Sequence, residues 1–360
     1  MKGPLTDFPV LKTTIPDVTK KFNLNDRNDR KEYFEAKVGP EIAKLREYLK
    51  ENTFIAYLLG KKNSGKGTYT KLMAEIFGAD KIGHISVGDL VRETHKIIED
   101  PKERKIITDY LEQHYRGYIS IDEAIDALIG KSQKNLLPTE FIMALVKREI
   151  DKLGRKVIFL DGFPRDLDQV QYSLYFRDLV NYRLDPDIFV AISIPLSVID
   201  ERMRNRVVCP VCQAPRNLTT FPTKEAGYDE KTGKFFLKCD NPECNGARMV
   251  GKEGDNAGIE SIKDRLELDE KLITKVMSLH GIPKILLRNA VPVNSIKDGI
   301  VDDYEITPKY VFNREEKTNK VTITEEPWIV KDDEGLDSYS LLAPPVVVGL
   351  IKQLVKALNL

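Results

Sequence analysis

The stretch from Tyr57 to Thr70, YLLGKKNSGKGTYT, decides how the rest of the chain is understood. It opens as an apolar strand, turns at Gly60 and runs G-x-x-x-x-G-K, closing on Gly65 and Lys66. A glycine-rich loop between a buried strand and a helix aims backbone N–H groups at phosphate oxygens, and a lysine at this place adds positive charge. The next residue is usually Ser or Thr, whose hydroxyl sits on Mg²⁺. Here Gly67 holds that place and the hydroxyl arrives one residue later, on Thr68. A turn tightened only for packing, followed by a surface lysine, leaves a similar trace. The loop's position, leaving an apolar strand and opening a helix, favours a phosphate cradle.

Outward from this loop the chain alternates between apolar runs and amphipathic segments. Strands are expected at TFIAYLLG, KIGHIS, KVIFLD and DIFVAISIP, with helices near 66–77, 87–98, 139–153, 166–181 and 196–206. Apolar strands separated by helices mark an α/β fold with a parallel, doubly wound sheet. Ligands in such sheets gather at the carboxyl ends of the strands. Three of the four expected strands end on chemically loaded residues: Gly60, Ser86 and Asp161. Upstream, residues 1–52 form a polar, proline-punctuated extension with a helical pattern in PEIAKLREYLKEN. Downstream, 207–254 breaks the pattern with turn signals, a helix resumes at 258–279, a hairpin is expected in KYVFNREEKTNKVTITEE, and a proline-led helix closes the chain at PPVVVGLIKQLVKAL.

The chain has 360 residues, with 56 basic and 56 acidic side chains. That balance argues against nucleic acid or an anionic membrane as the main partner. No apolar run reaches 18 residues and the first residues lack a signal-peptide core, so a soluble, cytoplasmic monomer is expected. All four cysteines fall between Cys209 and Cys244: Cys209-Pro-Val-Cys212, then Cys239-x4-Cys244. Two knuckles of this kind are a Cys₄ zinc signal, closed and therefore structural. Two disulfides are the alternative in an oxidising compartment. His84, His95, His114 and His280 show no ligand spacing and are read as structural.

Three motifs in order resemble the nucleoside monophosphate kinases, adenylate kinases in particular. Gly60, Gly65, Lys66, Gly67 and Thr68 match that family's G-x-x-x-x-G-K-G-T loop, HISVGDLVRE matches the segment opening its acceptor domain, and VIFLDGFPRDLDQ matches its D-G-F-P-R signature with Gln169 four positions beyond Arg165. The resemblance covers about 53–206 and resumes over 255–280. It implies a P-loop core with an acceptor-binding insertion at 86–137 and a zinc lid at 207–254 that closes over ATP, as adenylate kinases are known to do. Core segments are then expected at 53–85, 138–206 and 255–290, an insertion at 291–340 and a closing core helix at 341–360.

The resemblance also implies roles. Gly60, Asn63, Ser64, Gly65, Lys66, Gly67 and Thr68 would cradle ATP phosphates, Arg202 would stack on the donor adenine and Arg206 would reach its phosphates. Ser86, Val87, Arg92, Leu137, Gly162, Arg165, Gln169 and Arg265 would bind AMP. Lys66, Asp161, Arg206 and Arg265 would carry catalysis, with Asp161 and Asp89 holding Mg²⁺ through water. The chemistry suits these residue types: a guanidinium offers two donors to two phosphate oxygens, an amide can pair with a purine edge, and a carboxylate at a strand end beside the loop can fix a metal's water. Each also has an ordinary reading: Asp161 as a turn Asp before Gly162, Ser86 and Asp89 as a helix cap, the arginines and Gln169 as solvated helix surface.

The sequence departs from the family at several places. Lys62 and Asn63 stand where proline and glycine are usual, Asn tolerating a left-handed backbone. Val87 replaces a typical Thr, the second cysteine pair is wider than usual, and the lid arginine could be Arg248 or Lys252. The expected reaction is ATP + AMP to two ADP, with Mg²⁺ and one structural zinc. CMP or UMP as acceptor is one alternative, and a zinc-ribbon nucleic-acid-binding NTPase is another. No general base is needed, because a monophosphate oxygen is already anionic at pH 7.

Overall fold

The apolar run that leads into the loop is the central strand of a five-stranded parallel sheet. The computed structural model describes residues 8–16, 18–130, 137–165, 169, 185–252, 254–255, 257–315 and 320–360. Its core strands are β1 (Ile55–Gly60), β2 (Ile82–Ser86), β3 (Val157–Asp161), β4 (Asp187–Ser193) and β5 (Lys284–Arg288), in the spatial order β5-β4-β1-β3-β2. β1 has neighbours on both sides and is covered on both faces, which is why it reads as continuously apolar. Alternate residues still serve different faces: Ala56 and Leu58 enter one core, Ile55, Tyr57 and Leu59 the other.

The first face is covered by α1 (Arg27–Tyr48), α2 (Lys66–Phe77) and the last helix, Ala343–Ala357, through Phe34, Ile42, Met73, Val347 and Ile351. The second is covered by α3 (Val87–Ile97), α4 (Pro101–His114), α5 (Ile121–Leu128), α6 (Thr139–Leu153) and a later helix, Lys263–Met277. With α7 (Leu196–Arg204) between them, these two later helices are α8 (Lys263–Met277) and α9 (Ala343–Ala357). Registers set the ligand edge. Ser86 lies opposite Asp161, Asp161 opposite Leu58, and Gly60 opposite Ile192, so Gly60, Ser86 and Asp161 emerge together at the carboxyl end.

The expected helices at 66–77, 87–98, 139–153 and 196–206 are found within two residues of their expected ends. The expected helix at 166–181 lies outside the described residues except for Gln169. Three differences have physical causes. α1 starts at Arg27, thirteen residues before the Pro40 that heads its helical sequence pattern; Asp26 caps Asn28 and Asp29, Tyr33 and Phe34 are buried, and the helix breaks at Val38 (φ −149°, ψ 27°) ahead of the proline. α4 is mostly polar and buries only Ile107 and Leu111, leaving little pattern to see. β5 is the fifth strand, five residues between Pro283 and Asn289, too short to announce itself.

Between α7 and α8 lie short strands, Arg206–Val208 with Pro215–Asn217 and Val250–Gly251, and a separate pair, Ala226–Asp229 with Lys234–Leu237. The hairpin Pro308–Arg314/Val321–Pro327 is formed as expected and lies against this region. Tyr310 N–H donates to Thr219 O at 2.7 Å, Phe312 stacks on Phe235 at 5.5 Å, and the Arg314 guanidinium sits over Tyr228 and pairs with Glu230 at 2.6 Å. The chain then returns to the core, where Trp328 and Val330 pack with Val198, Ile199 and Met203 of α7. Near the start of the chain, Thr13 bonds Ile300, and buried Lys37 pairs with Asp302 at 2.6 Å, tying the extension down. Among the described residues no helix is long and apolar enough to cross a membrane.

Candidate active site

The loop between β1 and α2 is shaped by two left-handed residues, Asn63 (φ 65°) and Gly65 (φ 99°). Asn tolerates this conformation; at Gly65 any Cβ would also lie 2.8 Å from the Tyr69 ring. Gly60 is equally constrained, because a Cβ there would meet Ser64 Oγ at 2.8 Å. Lys66, the first residue of α2, donates to Gly60 O at 2.7 Å and Lys61 O at 3.2 Å, and its Nζ lies 3.7 Å from Asp161 Oδ1. Gly67 and Thr68 follow on the first turn, Thr68 exposed.

Two arginines reach the loop from α7 and the strand after it. Arg202 Nη1 donates to Asn63 O at 3.0 Å, and burial holds its pKa below the ordinary value. Its Nη2 is 3.4 Å from Oδ1 of buried Asn289, which also bonds Tyr69 and Ser340. Arg206 Nη1 donates to Asn63 Oδ1 at 2.9 Å, while its Nε lies 2.7 Å from Asp255 Oδ2. Asp255 is also 3.7 Å from Lys62. Among the described residues four buried donor atoms here have no protein hydrogen bond: Asn63 Nδ2, Ser64 Oγ, Arg206 Nη2 and Arg206 Nε, the last held only by its ion pair with Asp255. Buried donors of this kind normally find an acceptor, and an anion in the loop would supply one.

A second cluster forms beyond Asp161. Arg165 is pushed below its ordinary pKa by burial and by the facing Arg265 and Arg92 guanidinium groups, with Asp161 and Asp269 opposing them. An arginine stays charged under such pressure. Gly88, on the first turn of α3, gives two of these side chains room; a Cβ there would be 3.0 Å from Arg165 Nη2 and 3.4 Å from Arg92 Nη1. Gly162 (φ 85°) faces Arg165 and buried Val87. Arg265, on α8, pairs with Asp269 at 2.9 Å, and burial raises the Asp269 carboxyl. Ser86 caps α3 by accepting from Asp89 N–H at 3.3 Å; the Ser86 hydroxyl, then Arg92, lower the Asp89 carboxyl pKa. Asp89 is exposed and paired with Arg92. Leu137 lies half-buried against the same core as Val87. Gln169 is buried, its Oε1 accepting from Arg165 N–H at 2.7 Å and its Nε2 donating to Thr139 Oγ1 at 3.0 Å.

The four cysteines converge as their spacing suggests, their sulfurs all within 4.8 Å of one another. Cys212 and Cys239 sulfurs are 3.7 Å apart, close to the edge of about 3.8 Å that Zn–S bonds near 2.3 Å impose on a tetrahedron. Backbone N–H groups of Cys212 and Val211 lower the Cys209 thiol to about 7. The donor set therefore fits a metal ion, and no disulfide joins the cysteines. Of the two candidates for the expected lid arginine, Arg248 pairs with Asp229 at 2.8 Å and lies over the Phe236 ring. Lys252 bonds the Arg206 carbonyl through its backbone, and burial and the Arg206 charge lower its amine. Sequence reasoning missed Gly88, Asn289 and Asp255, whose significance lies in partners far along the chain, and Asp269, an ordinary helix acid until burial and its pairing with Arg265 single it out.

A P-loop at the carboxyl edge of a parallel sheet, faced by clustered arginines, defines a kinase of small phosphorylated substrates. No family model matches the chain. Among curated proteins, it is 32 % identical over 215 residues to an adenylate kinase of Petrotoga mobilis, covering 59 % of this chain and 78 % of that one. It is 31 % identical over 215 residues to an adenylate kinase of Clostridium botulinum (59 % and 80 %) and 33 % identical over 174 residues to one of Thermotoga petrophila (48 % and 67 %). The chain belongs to the adenylate kinase family.

Proposed function

We propose that this protein transfers the terminal phosphoryl group of ATP to AMP, giving two ADP. The observation that carries the reading is the pairing of two cationic sites across Asp161: the loop with Lys66, Arg202 and Arg206, and the cluster of Arg92, Arg165 and Arg265. Donor phosphates are held by the loop N–H groups and Lys66, the donor base by Arg202. The acceptor phosphate is gripped by Arg92 and Arg165. An acceptor oxygen, already anionic, forms the new bond to phosphorus while the bond to the ADP leaving oxygen breaks. Arg206 and Arg265 stabilise the charge on the moving group. Lys252, beside Arg206, takes the part of the lid arginine; Arg248 is engaged inside the cysteine-bearing region.

Mg²⁺, when bound, would supply further charge neutralisation. Asp161, part-exposed at the end of β3, suits it through water; Asp89 is farther out and shares its charge with Arg92. Cys209, Cys212, Cys239 and Cys244 would hold a structural zinc and so order this region. The Gln169 amide reads the acceptor base.

The test is ATP-dependent phosphorylation across AMP, GMP, CMP and UMP. AMP should be the best acceptor. Faster turnover of CMP or UMP would overturn the acceptor assignment, and no turnover of any monophosphate would overturn the kinase reading.

A further inference from the structure

The carboxylate of Asp333 reaches the donor loop from the far end of the chain. It sits in the turn between the paired strands Ile329–Lys331 and Asp337–Ser340, and both of its oxygens are used. One accepts from the Leu196 backbone N–H at 2.7 Å, and the other lies 3.1 Å from Lys61 Nζ. Lys61 follows Gly60 in the loop and is only 4 % exposed, so its ammonium group is out of water and needs a counter-charge. The Lys61 carbonyl accepts from Lys66 Nζ at 3.2 Å and from Ser64 N–H at 3.1 Å.

Leu196 is the first residue of α7, and the N-cap position is Pro195, which has no side-chain acceptor. The cap comes instead from Asp333, 137 residues away, as a carboxylate suited to the positive end of the helix. Near its other end, α7 carries Arg202, which holds Asn63 O. One carboxylate therefore steadies the loop by two routes, through Lys61 directly and through α7 and Arg202.

We propose that Asp333 is a positioning residue for ATP: it preorganises the donor loop without touching the reacting atoms. This rests on the donor-site reading given above. Ser197 supplies a contrast, because its Oγ donates to Lys331 O at 2.7 Å and pins the same segment to the same helix without reaching the loop.

The experiment measures ATP affinity by calorimetry and steady-state kinetics with each nucleotide varied. Asp333→Ala should raise both the Kd and the KM for ATP about tenfold while kcat and the KM for AMP stay within about twofold. Asp333→Asn, which keeps an acceptor for Leu196 N–H but loses the charge facing Lys61, should fall between. Lys61→Met should add less in the Asp333→Ala background than alone. Ser197→Ala should lower Tm without moving ATP affinity. The proposal is overturned if Asp333→Ala lowers Tm but leaves ATP affinity within twofold, or if Ser197→Ala weakens ATP as much. Should Asp333→Ala not fold, Asp333→Asn carries the same comparison. Failure of the wild-type chain to bind ATP removes the donor-site reading and this proposal with it, whereas an unaffected variant of an active enzyme removes the proposal alone.

Discussion

Replacing Gly88 with alanine should make the protein slightly more stable and a poorer user of AMP. Gly88 is the second residue of α3, and alanine is favoured over glycine in a helix by roughly 0.5–1 kcal/mol. Its added methyl, however, would lie 3.0 Å from Arg165 Nη2 and 3.4 Å from Arg92 Nη1. Ordinary van der Waals contact requires Arg165 to retreat by roughly 0.5 Å. With an effective dielectric near 20, stretching a guanidinium–phosphate contact from about 2.8 to about 3.3 Å costs about 0.9 kcal/mol. A bidentate grip suffers once or twice over, so the KM for AMP should rise by roughly 5- to 20-fold. The assay is AMP-varied kinetics at saturating ATP beside a thermal melt. The KM for ATP should hold, and the loss should shrink in an Arg92→Ala background, where one of the crowded side chains is gone. An unchanged KM for AMP with the expected rise in Tm would show that the arginines yield freely, and the argument from crowding would be wrong.

Lys66→Ala should lower kcat by roughly 10²–10³-fold with Tm nearly unchanged; activity within tenfold of wild type would remove Lys66 from the mechanism. Isolated protein should contain one zinc per chain, and Cys239→Ser should lose it and destabilise the lid while far-UV dichroism of the sheet persists; an active, metal-free enzyme with four titratable thiols would refute this. Arg165→Ala should chiefly raise the KM for AMP and Arg206→Ala chiefly lower kcat; identical kinetic losses in the two variants would end the two-site assignment.

The sheet was legible because its strands are buried on both faces and therefore apolar throughout, as IAYLLG and VIFLD show. Helices with a buried stripe and an identifiable end were legible too: α6 stops at Gly154, and α9 begins with prolines in its first turn. What escaped notice was held in place by distant contacts. The mostly polar α4 survives on two buried residues and an Asp100 cap, and the start of α1 depends on Tyr33 meeting Glu305 at 2.6 Å, 272 positions away. β5 acquires its strand character from pairing with β4.

The same division runs through the site. A motif is readable when its chemistry is local, because one short loop must supply its own N–H groups, left-handed residues and charge. Asn63 illustrates this: its tolerance of a positive φ is a property of the residue, and the loop uses it. The supports behind the motif are not local. Lys61 looks like a surface lysine in a basic loop until Asp333, 272 residues on, is found beside it. Gly88 looks like a helix-weakening glycine until Arg165, from a loop beyond β3, is found beside it together with Arg92 of its own helix. Arg202 gives no hint in its own helix of the Asn289 amide near its guanidinium. A local sequence pattern records which groups can act, but their aim is set by contacts between residues hundreds of positions apart. Substitutions at Gly88, which has no side chain to act, or at Asp333, outside every motif, are therefore the sharper test of how the site is built.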